Sequence, residues 1–168
     1  MNAPITIRPL DPTEWRALRE IRLFALQTEP GVFFASYDGE LALGDDEWQR
    51  RIAGAGCIVF GLFAGSDLVG ITGVVADRDD PTGKTAVLVM SYIRPAYRGR
   101  GLTTLFYDAR LGWIASQPQF TRVVVSHRAS NEASGRAVRA HGFILVDRVA
   151  RTWPDGTTDD EVRYTRAI

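Results

Sequence analysis

The stretch SYIRPAYRGRGLTTLFYDARLGWIA, residues 91–115, constrains the fold more tightly than any other part of the chain. The apolar run AVLVMSYI reads as a strand and stops at Pro95, whose nitrogen has no hydrogen to donate to a ladder. Leu102, Leu105, Phe106, Ala109 and Trp113 then recur at helical spacing. Between the two stand Arg98, Gly99, Arg100 and Gly101. The first turn of a helix presents unpaired N–H groups, and its dipole places about half a positive charge there. Bare glycine backbone lets an anion approach those groups closely. The guanidinium groups of Arg98 and Arg100 suit phosphate oxygens, and Thr103 and Thr104 add hydroxyl donors. Several donors along a curve suit a pyrophosphate better than a single carboxylate. The same residues also read as an exposed basic turn before an ordinary helix, and the short pattern weighs the two equally.

The rest of the chain alternates helices and strands. ITIRPL alternates as a short strand does. DPTE opens a helix: Asp11 caps, Pro12 suits the first turn, and Glu14 holds the capping-box place. Trp15, Leu18, Ile21, Ala25 and Leu26 give that helix one apolar face, and it ends before Pro30-Gly31. VFFASYDGELALGDDEWQRRIAGAG reads as a loop and then broken helical turns, with Trp48 and Ile52 packed one turn apart. Phe33, Phe34 and Tyr37 follow the turn as core residues, or as a substrate-facing lip of the kind loops carry. CIVFGLFA and LVGITGVVA flank Gly65-Ser66-Asp67 as a hairpin. The polar loop DRDDPTGKT imitates the end of a P-loop at Gly83-Lys84-Thr85. Arg78 stands where the first glycine belongs and a strand follows, so that match fails.

RVVVSH is a buried strand, and NEASGRAVRAHGF a short helix capped by Asn131 and ended by Gly142. FILVDRVARTW, a Pro154-Asp155-Gly156 turn and EVRYTR form a closing hairpin. This order predicts one α/β domain with a mixed sheet, spanning residues 1–168.

Twenty Lys and Arg balance twenty Asp and Glu, so no global field favours nucleic acid or an anionic membrane, and any anion site must be local. The lone Cys57 sits in a strand-like run and reads as a buried, inert thiol. One cysteine and two histidines make no closed metal site. No run approaches membrane-spanning length, and the expectation is a cytoplasmic protein.

The motif residues resemble the GCN5-related N-acetyltransferase (GNAT) family. Its signature, Q/R-x-x-G-x-G/A between a strand and a helix, is matched in its first places by Arg98, Gly99, Arg100, Gly101 and Leu102. Thr103 stands where the family prefers Gly or Ala. Asn131 followed by Gly142-Phe143 resembles a second family segment, and IRPLDPTEWRALREIRLFAL its first strand and helix. The resemblance implies a mostly antiparallel central sheet with a splayed pair of parallel strands, AVLVMSYI and RVVVSH, flanked by helices. It implies acetyl-CoA as cosubstrate, with its pyrophosphate on the glycine loop, its pantetheine arm in the gap, and Asn131 beside it. The Ile93 N–H matches the amide that polarises the thioester carbonyl. Transfer is then direct, to a small-molecule or peptide amine, without a covalent acyl-enzyme. A homodimer is left open.

Two proton roles stay open. Many relatives place a helix tyrosine seven residues after the asparagine, where this chain has Val138. Ser134, one turn earlier, is the local substitute as donor to the leaving sulfur, or a first-turn serine bonded to the backbone. For the base, His127 ends its strand with a suitable ordinary pKa, or merely marks a buried strand end. Tyr92 acts through water or packs. A non-catalytic acyl-CoA-binding or regulatory domain is the alternative reading.

Overall fold

The computed structural model describes residues 3–168. Strand β1 (Ile5–Pro9) leads into the capping box that the sequence predicts. Asp11 Oδ1 accepts from the Thr13 amide at 2.9 Å, and Glu14 Oε2 accepts from the Asp11 amide at 2.7 Å. Arg8 grips Glu14 from outside, and this hydrogen bonding holds the Glu14 carboxyl down at about 2. Helix α1 (Trp15–Thr28) follows, then the short α2 (Tyr37–Leu41) and α3 (Asp45–Ala53). Strands β2 (Ile58–Ala64) and β3 (Asp67–Ala76) form the first hairpin, with Gly65 at φ 62° in its turn. Strand β4 (Thr85–Ile93), helix α4 (Thr103–Ala115), strand β5 (Arg122–Arg128) and helix α5 (Glu132–Ala140) come next. β6 (Ile144–Thr152) and β7 (Thr158–Ala167) close the chain.

The seven strands make one sheet in the order β1-β2-β3-β4-β5-β7-β6. Every neighbouring pair is antiparallel except β4 and β5. One face of the sheet packs against α1 and α3, where Leu18, Ile21 and Trp48 are buried with Val59, Ile71 and Tyr92. The other packs against α4 and α5, where Tyr107, Ile114 and Val138 are buried with Leu88 and Val123. Burying each such large side chain contributes about 1.5–3 kcal/mol. No helix among the described residues is long and apolar enough to cross a membrane.

Helix α4 departs from its expected face. Of Leu102, Leu105, Phe106, Ala109 and Trp113, only Phe106 is fully buried; Tyr107, Arg110 and Ile114 complete the inner face. The helix packs against α5 as well as the sheet, and the Tyr107 ring stacks on His141 at 3.9 Å. That rotates the inward stripe away from the most apolar positions.

A bulge in β4 decides which side chains meet which helix. Ile71 pairs with Tyr92 but Gly73 with Val89, so Thr72 faces both Met90 and Ser91. Met90 takes φ 58°, a conformation unusual for a residue with a side chain. In an unbroken strand Leu88 and Tyr92 would share a face. The extra residue reverses the alternation, so Leu88 meets α4 and α5 while Tyr92 meets α1.

Candidate active site

The parallel pairing of β4 and β5 covers only Thr85–Arg122, Ala86–Val123 and Val87–Val124. Beyond Val87 the two strands part. The opening is a cleft of about 1060 Å³, bounded by the 98–103 turn, α4, α5 and the segment after α1.

Arg94 donates its amide to Val69 O at 2.8 Å, which brackets the Ile93–Gly70 pair as a non-hydrogen-bonded one. The N–H and C=O of Ile93 therefore point away from β3, toward the fork. The Ile93 carbonyl accepts from Arg98 Nε at 2.7 Å. Gly99 and Gly101 adopt φ of 73° and 71°, and a side chain built on either would meet nothing within 4 Å. The amides of residues 99–103 donate to no other described residue. Glycine is needed there for the left-handed backbone, and it leaves a row of free N–H groups before open space. This geometry separates the two readings of the turn: it is a cradle of donors at a helix mouth as well as an exposed loop.

The loop arginines fold back onto the protein. Arg98 reaches Glu29, at the end of α1, with a 2.6 Å ion pair. Arg100 donates to Ala96 O at 3.0 Å and lies over Tyr97. Leu102 and Thr103 line the cleft, while Thr104 is exposed outside the lining and its amide bonds Gly101 O.

Asn131 caps α5 by accepting from the Ser134 amide at 3.2 Å. Ser134 lines the cleft with Ala133 and Ala137. Val138 is fully buried against the sheet and so does not face the cleft with Ser134. His127 lines the cleft with both ring nitrogens engaged. Nδ1 donates to the Arg128 carbonyl at 2.7 Å, so Nε2 accepts from the Tyr164 hydroxyl at 3.3 Å. Burial lowers the His127 pKa; the bond to Arg128 opposes this, and Arg139 and Arg148 reinforce it. The lowered pKa favours the neutral ring. Cys57 lies away from the cleft, and burial raises its thiol pKa.

On the α1 side, Phe33 and Phe34 line the cleft, while Tyr37 packs against the buried cluster instead. Phe34, 51% exposed, stacks on Trp153 at 4.5 Å. Arg128 fixes this wall by donating to Gly31 O at 2.9 Å while paired with Asp155 and Asp159. Tyr92 is buried on the same side, its hydroxyl without a partner.

Several lining residues escaped the sequence reading. Arg110 is buried, donates to Phe106 O and Ser91 Oγ, and burial brings its guanidinium down to about 10. Glu161 is buried between Arg151 and Arg163. Burial would raise its pKa, but bonds from Arg163, Ser126 and Arg151 carry it below the ordinary value. Arg22 pairs with Glu40 inside the protein. Arg110 carried a local signal, as a charge between apolar helix positions.

A mixed sheet opened between two parallel strands, with a donor-lined glycine turn at its mouth, defines an acetyltransferase-type domain. The family description "Acetyltransferase (GNAT) domain" matches residues 5–144. The chain belongs to the GNAT acetyltransferase family. No curated protein matches its sequence. Among solved structures, a GNAT-family acetyltransferase from Streptococcus pneumoniae superposes with a TM-score of 0.81 at 20% identity, over 98% of this chain and 100% of that one. The protein yncA from Salmonella typhimurium, solved with its cofactor acetyl-CoA, gives 0.80 at 19% identity, over 98% and 94%. Spermidine N-acetyltransferase from Vibrio cholerae, solved with CoA and spermine, gives 0.71 at 15%, over 97% and 95%. Likeness at these identities speaks for the fold.

Proposed function

We propose that this chain transfers the acetyl group of acetyl-CoA directly to a primary amine. The observation that carries the reading is the continuity of the β4–β5 fork with the unpartnered amides of residues 99–103. A pyrophosphate fits the cradle, because the glycines leave it open and the helix mouth supplies positive potential. Gly99, Arg100, Gly101, Leu102 and Thr103 would hold it with backbone donors; Arg98 and Arg100 would add side-chain donors only by swinging out from Glu29 and Ala96 O, and Thr104 lies outside the lining. Ile93 and Asn131 flank the arm. Bound there, acetyl-CoA supplies an activated acyl thioester.

The remaining chemistry falls to the chain. The Ile93 N–H, aimed into the fork, donates to the carbonyl oxygen as negative charge develops on it. Ser134 donates from α5 to the departing sulfur. The amine gives up its proton to water in the cleft, while Tyr92, packed against α1, and His127, with both ring nitrogens engaged, shape the walls. Phe33 and Phe34 shape the acceptor entrance. The absence of a thiolate from the cleft fits direct transfer. Neighbouring structures of similar fold include one with spermine, consistent with an amine acceptor.

The test is release of the coenzyme thiol from acetyl-CoA, measured with and without a panel of amines. Amine-dependent release is expected. Tight coenzyme binding with no amine-dependent release would favour a coenzyme-binding domain without transfer, the reading to which Val138 in the tyrosine position lends weight.

A further inference from the structure

Among the described residues, three buried side-chain polar atoms have no hydrogen-bond partner: Arg22 Nη1, Trp48 Nε1 and Tyr92 Oη. Arg22 and Tyr92 both line the cleft, at 5% and 3% exposure. Native proteins rarely leave such atoms unpaired, and a ligand is one standard reason. Both sit on the wall between α1 and β4, where Tyr92 packs in one cluster with Leu18, Ile21 and Ala25 of α1.

The charge at this wall is also unbalanced. Arg22 donates from Nε and Nη2 to the two oxygens of Glu40, at 3.0 and 3.1 Å, leaving its Nη1 edge over. Glu40 is shared with Arg51 at 3.1 Å, and Glu47 reaches Arg51 only at 3.8 Å from the rim. The two carboxylates that line the cleft are already matched, Glu29 by Arg98 and Glu161 by Arg151 and Arg163. Nothing anionic is left for Arg22 Nη1. The Phe33 ring covers the Arg22 guanidinium at 4.6 Å and gives the spot an apolar roof. A cationic polyamine would bring donors and positive charge to a place that already has too many of both. A group made only of acceptor oxygens, negative and two-pronged, satisfies it.

We propose that the acceptor amine also carries a carboxylate, as an amino acid does, and that Arg22 Nη1 and Tyr92 Oη bind it under Phe33. Tyr92 immediately precedes Ile93, so an acceptor held this way lies on the strand that presents the carbonyl-polarising amide. The inference rests on the acyl-transfer reading above and narrows its substrate class.

The test titrates product analogues into the protein saturated with CoA. N-acetylglycine, N-acetyl-leucine and N-acetylphenylalanine are each compared with their own carboxamides by calorimetry. For at least one side chain the acid should bind tenfold or more tightly than the amide. Tyr92→Phe removes one hydroxyl and leaves the core filled; it should narrow that preference three- to tenfold. Arg22→Lys keeps a cation for Glu40 and should narrow it too, with an unchanged melting temperature confirming the fold. Equal affinity for acid and amide, no saturable binding of any acid, or a preference untouched by Tyr92→Phe would overturn the proposal. The thiol-release assay keeps the two claims apart. If amines without a carboxylate turn over as efficiently as amino acids, the carboxylate site fails and acyl transfer stands. If no amine turns over, acyl transfer itself fails.

Discussion

Replacing Gly101 by Asp, Asn and Ala isolates what the glycine turn contributes to coenzyme binding. Gly101 has φ 71°, so Ala should lose stability through backbone strain of about 1–2 kcal/mol. Asn and Asp tolerate this conformation better than other side chains and are nearly the same size. A side chain there meets nothing in the fold within 4 Å, so neither should disturb packing. The Asn–Asp pair therefore differs by one negative charge, aimed where the pyrophosphate would sit. At about 5 Å and an effective dielectric near 20, each unit of phosphate charge repels it by about 3 kcal/mol before screening. Screening at the protein surface reduces this, and a net loss of about 3 kcal/mol, or roughly a hundredfold in Kd, is expected from Asn to Asp. Calorimetric titration of CoA into each variant measures it, with melting curves to confirm equal folding. Asp and Asn affinities within threefold of each other would refute the assignment of phosphate to this turn.

Three further outcomes follow from the same geometry. Ser134→Ala should lower kcat about ten- to a hundredfold with a smaller effect on KM, as loss of a hydrogen bond to a developing charge does; a silent variant would make Ser134 only a first-turn residue. Val138→Tyr, a change that would build the tyrosine many relatives carry, should destabilise the protein by about 1–3 kcal/mol in denaturant titrations rather than raise activity, because the site is filled core. The depressed pKa of His127 makes stability fall as pH drops, since the unfolded chain takes up a proton near pH 6.5 before the buried ring does. That part of the slope, read as melting temperature against pH below about 6.5, should vanish in His127→Gln, and equal slopes would contradict it.

The sequence foretold the elements because each follows a local rule. The alternation of ITIRPL, the DPTE capping box, the Asn131 cap and the glycine turns need only near neighbours. The strand–RGRG–helix order marked one end of the cleft for the same reason. What stayed hidden depends on partners far along the chain. The bulge sits at Met90, a residue with no preference for φ 58°, and it alone turns Tyr92 toward α1. The Arg22–Glu40–Arg51 cluster gathers charges from three helices, none of them unusual in its own segment. Val138 occupies the place of a tyrosine in sequence, but packing against Leu88 and Val123 decides where it points. Arg128 and Trp153 meet the segment after α1 only because the closing hairpin places β7 beside β5.

The central claim is that the acyl group moves in one step from the thioester to an amine. A single-turnover experiment with acetyl-CoA labelled in its acetyl group, mixed with excess protein and an amine and quenched at intervals, follows that group directly. The label is predicted to pass from coenzyme to amine with no acylated protein at any time, Cys57 included. Label trapped on the protein ahead of the amine, or label that stays on the coenzyme whatever amine is supplied, would contradict it.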